Sequence, residues 1–371
     1  MFKLNNFSKL LLVYTLWLVL WIFAGSLFEV YFFGIGLTIH DIIATSIFWF
    51  LGAVLITPFV KKVDTKKFML TGILIAAAAI GVLYFYPIRE AAYLFRFLVG
   101  ITNIVFWVPF NSLFYDFRNK NNAQMSAIYY SIGPCLSIIL PAASGYVAAN
   151  MGYQQMYAIS LGIAAITFVV AWKFLENKIT EYNIVESLNS IAGLRTLIFL
   201  EGFAANLIVS ALLETLLLSY ISKPLEFGTF IGAVTICSVV ASYITARKSD
   251  GEQHRRKYLI LSSIAFGISV IITSFVPDIT GFFIGFALIN FFRTIYFPLP
   301  LALTVDNTTG IEKSMFGREF ILNIGRIGGA VFAYVALFFV DLKIVMAFMG
   351  VVLVVAYPIA FEFKKKKLKL I

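Results

Sequence analysis

Apolar residues along this chain come in long runs separated by short polar stretches. Twelve runs can be delimited: 10–33, 42–60, 68–87, 92–115, 126–149, 155–174, 196–221, 227–246, 258–276, 281–305, 317–340 and 344–363. Each approaches the roughly 20 apolar residues that a helix needs to cross the hydrocarbon core of a bilayer. Helices joined by short loops are antiparallel neighbours, so the loops alternate between two membrane faces.

The longest polar link covers residues 176–194. It carries Ile184, Leu188 and Ile191 at helical spacing, with Glu181, Asn183, Glu186 and Asn189 interleaved. This predicts a short amphipathic helix lying on the membrane surface. It also predicts three parts: an N-terminal six-helix bundle over 1–175, a cytoplasmic amphipathic linker over 176–194, and a C-terminal six-helix bundle with a basic cytoplasmic tail over 195–371. The halves repeat at an offset of 190 residues. Lys66-Lys67-Phe68 aligns with Arg256-Lys257-Tyr258, Pro87 with Pro277, Asp116 with Asp306, and Met125 with Met315. Identity at this offset is low, so segment boundaries, prolines and loop charges carry the repeat. The expected fold is an all-α membrane protein with twelve transmembrane helices in two pseudo-symmetric six-helix bundles.

Composition narrows the function classes. Of 371 residues, 61% are hydrophobic and 13% charged, with a mean hydropathy of +0.92. An ordinary soluble domain carries about 25% charged residues. These values exclude a soluble enzyme, a disordered chain and a nucleic-acid-binding domain. The net charge of +10 follows topology: 23 of the 29 Lys and Arg fall on the face that holds the amino terminus. The other face has only Arg89, Lys223 and Lys343. Positive charge collects in cytoplasmic loops, so both termini are expected in the cytoplasm and the chain in the plasma (cytoplasmic) membrane. The first run, continuing past Ala24-Gly25-Ser26, is too long for a cleaved signal sequence. Cys135 and Cys237 sit singly inside apolar runs and form no disulfide or metal pattern. His40 and His254 are isolated; His40-Asp41 is expected to cap the start of the second span. With no phosphate-binding loop, no His-Glu-x-x-His and no potassium-channel filter, neither cofactor nor metal is expected. The loops are too short for a catalytic cluster, so the chain is not expected to be an enzyme.

Three local patterns resemble the major facilitator superfamily, and the twelve-span, two-half layout extends that resemblance to the whole chain. Pro58 to Lys67 stands where that family has Gly-x-x-x-Asp-Arg-x-Gly-Arg-Arg; Lys66 and Lys67 match the final basic pair, while Pro58, Lys62 and Thr65 replace the first glycine, the acid and the second glycine. Arg96-Phe-Leu-Val-Gly100 resembles the family's Arg-x-x-Gln-Gly element without its glutamine. Gly133-Pro134 and Pro141-Ala-Ala-Ser-Gly145 resemble a degenerate glycine–proline motif associated with antiporters. A proline inside a spanning helix frees a carbonyl and permits a bend.

Intramembrane charge is the most informative local signal, because an ionised side chain in hydrocarbon costs several kcal/mol unless it meets a partner or a cavity (about 2.5–3.5 on insertion scales). Glu29, Arg96, Glu201, Glu214, Arg293 and Arg326 lie inside the runs. The resemblance implies that the first, fourth, seventh and tenth spans line a central cavity. Glu29 and Arg96 lie at similar depth and are expected to pair or to exchange partners. Arg293 could reach Glu201 or Glu214, though not both, as a switch. Those two glutamates, 13 residues apart, fall on roughly opposite faces of an α-helix. Glu214 lies in an apolar stretch and is the candidate proton carrier. Asn103, aligned with Arg293, places a second polar group at mid-depth. Phe106 and Trp107 offer a wall for a substrate with rings. Arg326 with Glu319 is expected as a structural ion pair at the inner gate, and Arg318 is expected at or near the cytoplasmic face.

These readings predict a secondary active transporter working by alternating access, driven by protons, exporting small amphipathic compounds. An uptake symporter for a small anionic solute is the alternative, since Arg96 and Arg293 suit an anion. Outside transport, a lipid scramblase or a sensor retaining the fold remains. The expected partners are a small-molecule substrate, a proton as coupling ion and the lipid bilayer; nucleic acid is not expected, and the protein is expected to be a monomer.

Overall fold

A computed structural model describes residues 5–116, 122–248, 255–308 and 311–364. Lys3, Arg118, Lys120, His254 and the tail residues from 365 onward lie outside the described residues. Twelve helices among the described residues are long and apolar enough to cross a membrane: α1 Asn6–Gly34, α2 Ile39–Phe59, α3 Thr65–Phe85, α4 Arg89–Phe114, α5 Ser131–Met151, α6 Tyr153–Phe174, α7 Arg195–Leu217, α8 Pro224–Ser242, α9 Lys257–Ser274, α10 Ile279–Val305, α11 Lys313–Ala336 and α12 Leu342–Phe363. Polar residues mark several starts. Asn5, Asp64 and Asp278 accept hydrogen bonds from Ser8 N, Lys67 N and Gly281 N at the first turns of α1, α3 and α10. Such caps satisfy donors that the helix cannot bond itself. Helix α2 begins at Ile39, so His40 and Asp41 lie within its first turn and not ahead of it.

Four spans depart from the ideal helix. Helix α1 breaks at Ser26–Leu27 and resumes as Phe28–Gly34, which puts Glu29 in a fresh first turn. Helix α7 carries two π-helical stretches, Glu201–Asn206 and Ile208–Leu212. Helix α10 is interrupted at Phe297, just before Pro298. Helix α12 has one wide turn at Val352–Ala356, where Ser263 of α9 donates to the Leu353 carbonyl at 2.8 Å.

The link between α6 and α7 is ordered. Its strand β2, Ile179–Glu181, pairs antiparallel with β1, Lys62–Asp64, from the link between α2 and α3. The register sets Val63 opposite Thr180. A short helix, Ile184–Ser190, follows. The sequence reading anticipated this helix but not the strands.

The chain divides into two compact units. One comprises Met1–Thr38, Phe48–Ile184 and Ser222–Gly232; the other comprises Ile39–Ile47, Val185–Ile221 and Ala233–Ile371. Within each, glycines set the closest helix crossings. A Cβ on Gly52 of α2 would collide with the Phe97 carbonyl, and one on Gly100 of α4 with the Trp49 carbonyl. In the second unit Gly202 of α7 lies against the Leu322 carbonyl, while Gly325 and Gly329 of α11 lie against those of Phe199 and Phe203. Without a hydrophobic drive between helices in lipid, such small-residue seams supply the packing.

Candidate functional site

The reciprocal Gly52/Gly100 crossing brings Trp49 of α2 to within 5.0 Å of the Arg96 guanidinium carbon. Phe32 and Phe28 of α1 lie 5.2 and 5.6 Å from the same carbon. Arg96 Nη2 donates to Glu29 Oε1 in a buried ion pair. The two charges anticipated at similar depth therefore meet, inside an aromatic box that supplements the ion pair through ring quadrupoles. Glu29 also sits at the amino end of its short helical piece, where unbonded backbone N–H groups favour an anion. Glu29 Oε2 has no hydrogen-bond partner among the described residues.

In the second unit the geometry corrects one pairing and gives two further arginines their partners. Glu201 accepts from Arg318 of α11 at 2.6 Å, so its partner is Arg318 and not Arg293. Arg318 is buried within α11, which starts at Lys313, so it is a packed charge and not a solvated one. Glu319 lies 3.5 Å from Arg318. Arg326 donates to Asn323 Oδ1 at 2.9 Å and to Asn206 Oδ1 of α7 at 2.7 Å, and Glu319 is the carboxylate whose charge acts most strongly on it.

Helix α7 also overturns the expected disposition of its glutamates. In an α-helix, 13 residues turn Glu214 about 220° from Glu201. Each wide turn takes up about one extra residue, so two of them reduce the angle to roughly 20°. Both carboxylates therefore lie towards one side of α7. Glu214 and Arg293 are half-buried, and Glu214 is the carboxylate whose charge acts on Arg293. No carboxylate among the described residues lies within ion-pair distance of Arg293. With Glu201 held by Arg318, the two-acceptor switch expected for Arg293 reduces to Glu214 alone.

Helices α1 and α4 are joined by stacked rings. Trp17 lies flat on Phe106, with centroids 3.8 Å apart, and Tyr14 stacks on Phe110 at 5.1 Å. Phe106 is fully buried and is core, not the expected wall. Asn103 and Trp107 are half-buried.

The motif residues have structural surroundings of their own. Lys67 lies 3.5 Å from Asp64, and Lys66 is half-buried. Thr65 is buried: its N–H donates to the Lys178 carbonyl at 2.9 Å, and its hydroxyl accepts from Lys178 N at 3.0 Å. Backbone pairing thus fastens this link where the family has a glycine. Pro134 and Pro141 both lie within one continuous helix. Gly145 lies against the Pro224 carbonyl, and Gly228 of α8 against that of Pro141. The α5 motif therefore forms a backbone-to-backbone seam with the first turns of α8. Among the described residues no group of His, Cys, Asp and Glu could hold a metal ion.

The Major Facilitator Superfamily model matches residues 7–189. No curated protein sequence matches the chain. Among solved structures, the crystal structure of the human organic anion transporter MFSD10 (TETRAN) is similar over 96% of this chain and 100% of that one. Its TM-score is 0.71 at 12% identity, a likeness of fold. With twelve spanning helices, a family match across the first six and the same fold along the whole length, this chain belongs to the major facilitator superfamily of membrane transporters.

Proposed function

We propose that the chain carries a small amphipathic organic anion across the cytoplasmic membrane in exchange for protons. In this reading both termini are cytoplasmic, and the protein acts as a monomer that works by alternating access. The observation that carries it is Arg293: a half-buried guanidinium midway along α10, without an ion-pair partner among the described residues, with Glu214 as the carboxylate acting on it. A free arginine at that depth is stable only beside water or an anion, and its planar fork suits a carboxylate. Glu214, whose charge acts on Arg293, supplies a proton site that competes with the bound anion, which couples the two fluxes. The structural relative is an organic anion transporter by its title, which fits a cationic anchor. The glycine–proline motif of α5 favours export over uptake. Glu29 with Arg96 is assigned to the same pathway as a second charge pair.

The test is reconstitution in liposomes with an imposed pH gradient and a panel of aryl and alkyl carboxylates. Gradient-dependent flux of a carboxylate, with counterflow of protons, is the expected result. Flux of cations only, or lipid scrambling indifferent to the gradient, would overturn the reading.

A further inference from the structure

Five spans separate the amino terminus from the link between α5 and α6, which therefore lies on the opposite membrane face. Gly152 makes this link with a backbone in the left-handed region, at φ 89°. Helix α6 starts there without a side-chain cap, and its first turn holds no acidic residue. Its first backbone bond runs from Met156 N to the Gly152 carbonyl at 3.3 Å, so the N–H groups of Tyr153, Gln154 and Gln155 have no acceptor within the helix. This open turn lines a cleft of about 270 Å³, which it shares with Tyr31, Tyr157 and Pro87. Tyr31 packs 4.9 Å from Tyr153 and 5.2 Å from Tyr157, between ring centroids. Its hydroxyl donates to the Leu83 carbonyl at 3.3 Å. Tyr157 is fully buried, and its hydroxyl has no hydrogen-bond partner among the described residues. A buried donor of that kind calls for an acceptor. All the residues named here belong to the first compact unit.

We propose that this cleft binds a phosphate group, supplied by the phosphodiester of a phospholipid in the leaflet opposite the chain termini. The phosphate oxygens accept from the first-turn N–H groups of α6 and from the Tyr157 hydroxyl. An uncapped helix amino end offers donors and a positive dipole end to an oxyanion. None of the described residues lining the cleft is acidic or basic, so all its donors are neutral. Neutral donors match the single negative charge of a diester better than a dianion. The rim points to lipid as the source: Phe85, Tyr86 and Met151, at the ends of α3 and α5, are 69%, 63% and 59% exposed. Aromatic side chains at helix ends mark the headgroup level of a bilayer, and the acyl chains then run along these apolar shoulders. The proposal goes beyond the transport reading and uses neither Arg293 nor Glu214.

The experiment uses the purified full-length protein in dodecyl maltoside. Its melting temperature is read against dioleoylphosphatidylglycerol, dioleoylglycerol, and inorganic phosphate at fixed ionic strength. The expected result is saturable stabilisation by the phospholipid and none by dioleoylglycerol. Half-saturation should need at least tenfold more phospholipid in Gln154→Glu, which sets a competing negative charge on the open turn. An acid at that position suits the helix, so the fold is kept. Tyr157→Phe should weaken phospholipid binding several-fold without lowering the unliganded melting temperature, because it removes a donor that has no partner within the chain. Stabilisation by inorganic phosphate, with no response to the phospholipid, overturns the lipid source and leaves the phosphate site standing. Equal stabilisation by the two dioleoyl lipids overturns the site itself. So does unchanged phospholipid binding in both variants, a lower unliganded melting temperature in Tyr157→Phe, or no response to any of the three.

Discussion

Glu201 on α7 and Arg318 on α11 meet at 2.6 Å, with side chains 2% and 7% exposed. The contact forms because Gly202, Gly325 and Gly329 let the two helix backbones touch. Arg318 Nη1 also lies 3.5 Å from Glu319, so its charge is shared. A buried pair of this kind is costly to break on one side, since the survivor is left charged and dry: about 3–5 kcal/mol. Arg318→Leu alone should therefore lower the melting temperature of the purified protein sharply. Glu201→Leu with Arg318→Leu should recover most of the loss. A double variant no more stable than the worse single variant would show that the pair specifies more than local charge balance.

Gly100 and Gly81 form a matched contrast. A Cβ on Gly100 would collide with the Trp49 carbonyl, whereas one on Gly81 meets nothing within 4 Å. Gly100→Ala must push α2 from α4 and draw Trp49 away from Arg96. The expected outcome is loss of thermal stability together with a shift in tryptophan emission. Gly81→Ala should change neither, and equal behaviour of the two variants would contradict the crossing described above.

Thr65 replaces a family glycine yet anchors the link to α7. Its hydroxyl accepts from Lys178 N at 3.0 Å and donates to the Glu176 carbonyl at 3.3 Å. Thr65→Gly removes both bonds, about 1 kcal/mol each, and loosens the β1–β2 pairing. Trypsin should then cleave after Lys178 several-fold faster than in wild type. Thr65→Ser keeps the hydroxyl and should retain most of the protection. Identical digestion of all three would mean that the strands alone hold the link.

What could be read ahead of the structure depended on the length scale of the signal. A spanning helix needs a long apolar run, so all twelve spans were legible to within a few residues. Glu29 and Arg96 were legible as a pair because each lies well inside its run, at matching depth. Arg318 was not. The eleventh run begins at residue 317, but the helix begins at Lys313, so Arg318 read as a charge at the end of its span and its burial against Glu201 was not visible. The face carrying Glu214 was missed for another reason. A period of 3.6 residues holds only for α-turns, and composition does not announce the two wide turns of α7. Strands of three residues have no periodicity to detect. Their pairing rests on backbone groups of Lys61, Thr65, Lys178 and Tyr182 that any residues could supply.

Arg293 and Glu214 give the sharpest separation between binding and coupling. Arg293 is the proposed anchor for the anion, and losing a charge-assisted hydrogen bond should weaken anion binding roughly 10–100-fold. Arg293→Ala should thus abolish both thermal stabilisation by a carboxylate and its flux in liposomes, with membrane insertion retained. Glu214→Gln keeps the shape and removes the titrating group. It should still bind the carboxylate, at least as tightly as wild type, because a competing negative charge is gone. Its carboxylate exchange should continue without a pH gradient, while uphill transport driven by the gradient should fail. Binding and coupling are then carried by different residues. A Glu214→Gln variant that still drives uphill transport would move the coupling proton elsewhere, and Glu29, with its unpartnered carboxylate oxygen, would be the next residue to substitute.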